Sequence, residues 1–159
     1  MLIVLTFTLI LFSILFSISI EDYKTMFISE NKLITFAIAG FFYLISLKLL
    51  NEEINIINLI VNHTISMILM FIIMFLISYL GYKIYRKTSL GIGDIKLSSI
   101  STIWLGIELS FISLCISFLL SAIYTLYRII TKRFIPYQQF PFAPFISIGI
   151  LSTWIIDKI

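Results

Sequence analysis

The sequence predicts an all-α, polytopic membrane protein: a six-transmembrane-helix bundle that forms a single domain over residues 1–159. Two observations carry this prediction. Hydrophobic residues make up 60% of the chain and charged residues only 12%, whereas soluble domains are about one-quarter charged. Apolar runs that approach the roughly 20 residues of a membrane helix also recur between short polar loops. This composition leaves no room for a sizeable soluble domain, and we expect the lipid bilayer to surround the chain.

The apolar runs define the expected spans, which cover residues 2–20, 33–50, 56–82, 95–107, 109–130 and 145–156. We expect the first to be a retained helix rather than a signal peptide, because no basic segment precedes it and no A-x-A-like cleavage site follows. The fourth is short and rich in hydroxyl side chains. Such a segment suits a helix buried among others, where hydroxyl groups hydrogen-bond across the bundle.

The charge distribution predicts the orientation. Nearly all Lys and Arg residues fall in three loops on one side, around residues 24–32, 83–96 and 128–133. The opposite side carries four of the eight acidic residues, Glu52, Glu53, Glu108 and Asp157, together with Lys48 and Lys158. The positive-inside rule therefore predicts a cytoplasmic basic side and two external termini. Because the net charge of +3 is spread over these loops, we expect no nucleic-acid partner.

The stretch Ser89–Leu97 reads S-L-G-I-G-D-I-K-L and contains a carboxylate at a predicted membrane boundary. Asp94 follows two glycines, Gly91 and Gly93, and precedes Lys96. An ionisable residue in this position is a functional hypothesis, since its burial in lipid is costly. Glycine lacks a Cβ atom, so the backbone can bend there or another segment can approach closely. Asp22 follows the first span and is expected at the same, cytoplasmic face.

Two such aspartates can perform peptide-bond hydrolysis when their helices bring them together. Carboxyl groups within about 3 Å of each other share one proton. The ionised member can draw a proton from water while the protonated member polarises a carbonyl group. Structural interpretations stay open beside this one. Asp22 can form a surface ion pair with Lys24, and Lys96 can either steady Asp94 or extend to the membrane surface.

Three segments resemble a known family. Residues 91–97 resemble the GxGDxKL motif of the type IV prepilin peptidases, which are GxGD-class intramembrane aspartyl proteases. Asp22 resembles the family's first catalytic Asp, which is followed six residues later by Ile-Pro; here Ile28 is present and Ser29 replaces the proline. Residues 141–145, P-F-A-P-F, are similar to the PFGPF stretch that opens the last helix of bacterial members. The resemblance covers essentially the whole chain.

This resemblance implies an aspartic endopeptidase in which Asp22 and Asp94 are the catalytic pair. Supporting roles are implied for the motif residues Gly91, Gly93, Lys96, Pro141 and Pro144. The implied substrates are type IV prepilin or pseudopilin precursors of a pilus or type II secretion system. Their leader peptide would be cut after a glycine at the cytoplasmic face of the inner membrane.

Many bacterial members also methylate the new N-terminus with S-adenosylmethionine, an activity associated with an N-terminal region that carries paired CxxC zinc ligands. This sequence has one cysteine, Cys115. We therefore expect no metal site, no cofactor and no N-methyltransferase activity. The chain is expected to be a peptidase-only member, either complete, as its initial Met favours, or shortened.

Three alternatives remain open. His63, in the third span, is either a proton relay or a hydrogen-bonded packing residue, and the position favours packing. Pro141 and Pro144 either start a helix, where a missing N–H is tolerated, or hold an extended substrate beside the aspartates. The second function hypothesis is a small transporter or a scaffold for pilus or secretion assembly. Against it, no span carries the central acidic residue that an ion path needs.

Overall fold

A computed structural model describes residues 2–50, 55–86, 90–132 and 140–158, and these residues are all-helical. The expected acidic turn with Glu52 and Glu53, the basic residues Lys87 and Arg133, and most of the Pro- and Phe-rich loop lie outside the described residues. The described part contains five helices, in chain order α1 (Leu2–Thr25), α2 (Glu30–Leu50), α3 (Ile56–Tyr85), α4 (Ile92–Ile130) and α5 (Ala143–Lys158).

Four of these helices, α1 to α4, are long and apolar enough to cross a membrane, which indicates a membrane protein. The prediction of six separate spans is not confirmed. Residues 95–107 and 109–130 were expected as two helices, but both belong to α4, which has 39 residues. The last helix, α5, has only 16 residues and is shorter than a lipid-exposed span.

The predicted loop from Glu21 to Lys32 is much shorter in the structure, and this prediction was wrong at both ends. Helix α1 continues to Thr25 and α2 begins at Glu30, so only residues 26–29 connect them. Glu21 and Asp22 therefore lie within the last turns of α1. Both carboxylates have hydrogen-bond partners there, which allows the helix to include charged residues at its end.

Helix α4 reverses direction at Gly106, where φ is 75° and ψ is 177°. This backbone conformation is essentially restricted to glycine. Ile95 and Leu114 pack in one cluster with Met70 and Met74 of α3. In a straight helix, residues 19 positions apart would be separated by about 28 Å, so neighbouring methionines could not contact both. Helix α4 thus consists of an N-terminal arm, residues 92–105, and a C-terminal arm, residues 107–130, which lie side by side.

The N-terminal arm occupies the centre of the bundle, where Trp104 is 3% exposed. Its indole stacks on Phe36 and Tyr43 of α2 and meets Trp154 of α5 edge to face. The indole N–H donates a hydrogen bond to the carbonyl oxygen of Phe36 over 3.0 Å. A buried Trp with a satisfied N–H combines a large apolar contact with a fixed orientation. Trp104, on α4, therefore packs against both α2 and α5 and holds the three helices together.

Helix α5 packs closely on the C-terminal arm through small residues. A Cβ atom at Gly149 would overlap the Ser117 hydroxyl and the Ser113 carbonyl group. Small side chains let helix backbones approach in membranes, where packing rather than the hydrophobic effect drives association. This contact fixes α5 along its length and thereby places its first residue, Ala143, against the end of α1.

Candidate active site

Asp22 lies in the last turns of α1 and is only 5% exposed. Its Oδ2 atom accepts a hydrogen bond from the backbone N–H of Ala143, the first residue of α5, over 3.0 Å. The backbone N–H of Phe142 also interacts with this carboxylate. Helix N-termini carry free N–H groups and a partial positive charge, so they stabilise an anion. The start of α5 thus provides two donors for one side chain of α1.

A second contact between α1 and α5 lies close to Asp22. The hydroxyl group of Ser19 donates a hydrogen bond to the Ser147 hydroxyl over 2.9 Å. Ser19 is three residues before Asp22, and Ser147 is four residues after Ala143, so each pair occupies about one helical turn. The two helices are therefore held together at two neighbouring points, which fixes the orientation of the Asp22 carboxylate.

Asp94 lies in the first turn of α4, three residues after its Gly91 N-cap. Gly91 has extended backbone angles, and a Cβ atom at this position would lie 3.1 Å from Asp94 Oδ2. The glycine therefore leaves space for the carboxylate. Among the described residues, no hydrogen-bond donor reaches the buried Asp94 Oδ1 atom. Buried polar atoms in proteins are usually paired, so an unpaired carboxylate oxygen marks a group available for another partner.

The two predicted site residues interact with each other in the structure. Asp22 and Asp94 belong to different helices, and their carboxylates are close enough to interact electrostatically. Neither has a cationic partner among the described ion pairs. Two like charges in a partly buried site repel each other, which favours a state in which one of the two carboxyl groups is protonated. The arrangement can therefore act as a paired acid and base.

The other motif residues lie around this pair. Gly93 packs against Ile28 of the α1–α2 loop, with a separation of only 3.2 Å between the Ile28 Cβ and the position of a Gly93 Cβ. Lys96 does not contact Asp94 but forms an ion pair with Glu30 of α2, with 2.6 Å between Nζ and Oε1. Pro141 precedes α5 and Pro144 lies in its first turn, where proline is tolerated.

Sequence reasoning missed several groups that build the site. Glu21 binds the loop residue Ser29, and the Phe142 and Ala143 amides bind Asp22. Backbone donors leave no trace in residue identity, so their role could not be read from the sequence. The acidic pair Glu21–Asp22 at the end of an apolar run was the available signal for Glu21. Cys115 is exposed, and the described residues contain no group of three His, Cys, Asp or Glu side chains that could hold a metal ion.

Comparison with known proteins gives one clear result. No curated protein and no solved structure matches the chain. The model of the type IV leader peptidase family does match it, over residues 9–126. This stretch includes Asp22, Asp94 and the complete motif from Gly91 to Leu97, whereas Pro141 and Pro144 lie beyond it. The match covers well over half of the chain, and the protein therefore belongs to the type IV leader peptidase family, a family of membrane peptidases.

Proposed function

We propose that this family member is an aspartic endopeptidase that removes the leader peptide from type IV prepilin-like precursors at the cytoplasmic face of the membrane. The observation that carries the proposal is the electrostatic interaction between Asp22, at the end of α1, and Asp94, at the start of α4. Acid–base hydrolysis by two carboxyl groups needs only water as a co-reactant, in agreement with the residues found in the site. No donor among the described residues reaches the Asp94 Oδ1 atom, which leaves this atom, when protonated, able to donate to a substrate carbonyl group.

The hydrogen bonds support a division of roles between the two aspartates. Asp22, which accepts backbone N–H groups, is the ionised member, because amide donors stabilise a carboxylate. Asp94 interacts with the backbone N–H of Gly91, but no donor among the described residues reaches its Oδ1 atom, and we assign the proton of the pair to this side chain. Asp22 removes a proton from water as the water oxygen forms a bond to the scissile carbonyl carbon, and Asp94 donates its proton to the carbonyl oxygen. When the tetrahedral intermediate collapses, the C–N bond breaks, the amine leaves with the proton held by Asp22, and Asp94 takes back a proton from one hydroxyl group of the diol as that oxygen becomes the carbonyl oxygen of the new carboxyl group.

A six-crossing topology fits this proposal, although the described residues form five helices. The reversal at Gly106 divides α4 into two arms, each of which crosses the bilayer, and α5 crosses last. The N-terminal arm is short, but the buried Trp104, Leu97 and Ile103 show that it is surrounded by protein and needs no lipid-length surface. With both termini external, the basic residues Lys24, Lys32, Lys83 and Arg128 lie on the side of Asp22 and Asp94, as the positive-inside rule requires.

The substrate side of the proposal rests on the family match and on the site position. The pair lies at helix ends, where a precursor held in the membrane by its apolar segment can present the leader peptide. The proposal includes no methyl transfer, since the sequence carries one cysteine and no paired CxxC motif. The lipid bilayer and the precursor are the proposed partners.

Co-expression with a candidate prepilin tests the proposal, with the precursor followed by its mobility shift. We expect cleavage by the wild type and none by Asp22→Asn or Asp94→Asn. Asp157→Asn is the matched control, because it makes the same chemical change at the far end of α5 beside Lys158. Cleavage that survives Asp94→Asn would refute the aspartic mechanism. Absence of processing across several precursors would instead favour a transporter or assembly scaffold.

A further inference from the structure

The short loop between α1 and α2 lies between the two aspartates. Asp22 is four residues before this loop, which covers residues 26–29, and the loop contacts the turn that carries Asp94. Ile28 is 4% exposed and packs directly on Gly93, the residue before Asp94. Interiors of this density transmit small shifts, so the position of Ile28 affects the start of α4. The loop is therefore a physical link between the helix of Asp22 and the helix of Asp94.

One side chain holds this loop in place. Glu21 Oε2 accepts two hydrogen bonds from Ser29, one from the backbone N–H over 3.1 Å and one from the hydroxyl group over 3.0 Å. Lys32 lies 3.5 Å from the same oxygen and gives it a cationic neighbour. Hydrogen bonds to a carboxylate are about twice as strong as neutral ones. Glu21, which directly precedes Asp22 in the chain, thus binds the loop at Ser29, the residue that follows Ile28.

Ser29 is suited to this arrangement. The backbone N–H and the hydroxyl group of a serine both donate to the carboxylate, whereas a proline at the same position would offer neither donor. Met26, at the start of the loop, adopts left-handed backbone angles with φ of 54°. Such a conformation in a non-glycine residue persists where surrounding contacts hold it. The Met26 N–H donates to the Asp22 carbonyl oxygen over 2.9 Å at this end of the loop, and the Glu21–Ser29 pair holds the other end.

We propose that Glu21 is a positioning residue: through Ser29 it holds Ile28 against Gly93 and so sets the place of Asp94 relative to Asp22. This inference rests on the proposed protease function. Glu21 itself takes no part in the chemistry, because its carboxylate is occupied by Ser29 and Lys32. Its effect on the reaction is through geometry alone, since a small displacement of either aspartate reduces the rate of proton transfer.

The kinetic test compares Glu21→Ala with Glu30→Ala in cleavage of a purified prepilin. Both variants lose one carboxylate near the loop, but Glu30 is exposed and its pair with Lys96 is of the kind that contributes little. We expect Glu21→Ala to lower kcat about tenfold with KM nearly unchanged, and Glu30→Ala to change neither by more than about twofold. Equal rises of KM in both variants would show that the acids attract the substrate and would overturn the proposal.

Ser29 supplies a second arm of the kinetic test. Ser29→Ala keeps the backbone donor and loses the hydroxyl group, so kcat should fall less than in Glu21→Ala. Ser29→Thr keeps both donors and should restore kcat toward the wild-type value. If Ser29→Ala and Ser29→Thr have the same activity, the hydroxyl bond does not position the site.

A labelling experiment separates this proposal from the proposed function, because it needs no cleavage. In a Cys115→Ser background, Ile28→Cys should react slowly with a water-soluble maleimide, since Ile28 is buried. Adding Glu21→Ala should accelerate labelling several-fold. Phe27→Cys, at a 65% exposed position, should label quickly with or without Glu21. Unchanged labelling of Ile28→Cys overturns the proposal. If labelling is accelerated but the protein cleaves no precursor, Glu21 holds Ile28 in place as proposed, and the proposed protease function is refuted.

Discussion

The Nδ1–H group of His63, on α3, donates a hydrogen bond to the carbonyl oxygen of Thr102 over 2.8 Å. Thr102 is four residues before Gly106, so a regular helix would pair its carbonyl group with the Gly106 N–H. Gly106 itself has non-helical backbone angles, and His63 provides a side-chain donor to a carbonyl group in the turn that precedes it. Of the two roles considered for His63, proton relay and packing, this contact supports packing. It places the histidine at the reversal of α4.

Replacement of His63 by Ala should destabilise the reversal. The Thr102 carbonyl group would lose its side-chain donor inside the bundle, and hydrogen bonds between membrane helices contribute about 0.6–1.7 kcal/mol. Thermal unfolding of the purified protein in detergent should therefore show a lower Tm. His63→Gln, which retains an N–H donor on a flexible side chain, should recover part of the loss. Equal Tm values for wild type and His63→Ala would show that the bond contributes nothing.

Gly106→Ala should have a larger effect on stability. Its φ of 75° and ψ of 177° are strained for any residue with a Cβ atom, and such strain costs about 1–3 kcal/mol. The control is Gly81→Ala, since Gly81 lies within helix α3 and alanine favours a helix over glycine. Chemical denaturation in micelles compares the two variants. A Gly106→Ala protein as stable as Gly81→Ala would mean that the reversal does not need glycine.

The backbone donor of Asp22 can be removed without changing Asp22. Ala143 is the first residue of α5, a position that accepts proline, and Ala143→Pro deletes the N–H that binds Oδ2. Hydrogen bonds to charged groups contribute about 1.5–3 kcal/mol, so kcat should fall at least about tenfold while Tm changes little. Ala143→Gly keeps the N–H and should retain clearly more activity than Ala143→Pro. Similar kcat values in the two variants would count against Asp22 as the ionised member.

The presence of the helices was predictable from the sequence, because apolar runs of membrane length leave the backbone few alternatives to a helix. The resemblance to the family motif also selected Asp22 and Asp94 as candidates, and the two residues interact electrostatically in the structure. Helix ends were less predictable. Glu21 and Asp22 were assigned to a loop as charged residues, but tertiary hydrogen bonds from Ser29 and Ala143 allow α1 to include them.

The reversal of α4 shows a second limit. Two helices were expected at residues 95–107 and 109–130, with the boundary at Glu108, the polar residue. The chain instead turns at Gly106 without a polar loop, because one glycine with positive φ and a side-chain donor from α3 are sufficient. Hydropathy cannot detect such a turn, since the flanking residues Leu105 and Ile107 remain apolar. The glycine at position 106 was therefore a better sequence signal for the turn than the charged residue Glu108.

The contact between α5 and the C-terminal arm of α4 should control both stability and activity. In Gly149→Ala the new methyl group would overlap the Ser113 carbonyl and the Ser117 hydroxyl, and overpacking of this kind costs about 1–3 kcal/mol. Because α5 also carries Ala143, its displacement should weaken the bond to Asp22 and lower cleavage together with Tm. Adding Ser117→Ala removes one of the two overlaps, so the double variant should recover part of both losses. Ser117→Ala alone is the reference, since only a difference beyond its own effect reports on the Gly149 contact. Strictly additive effects would show that the two positions do not press on each other.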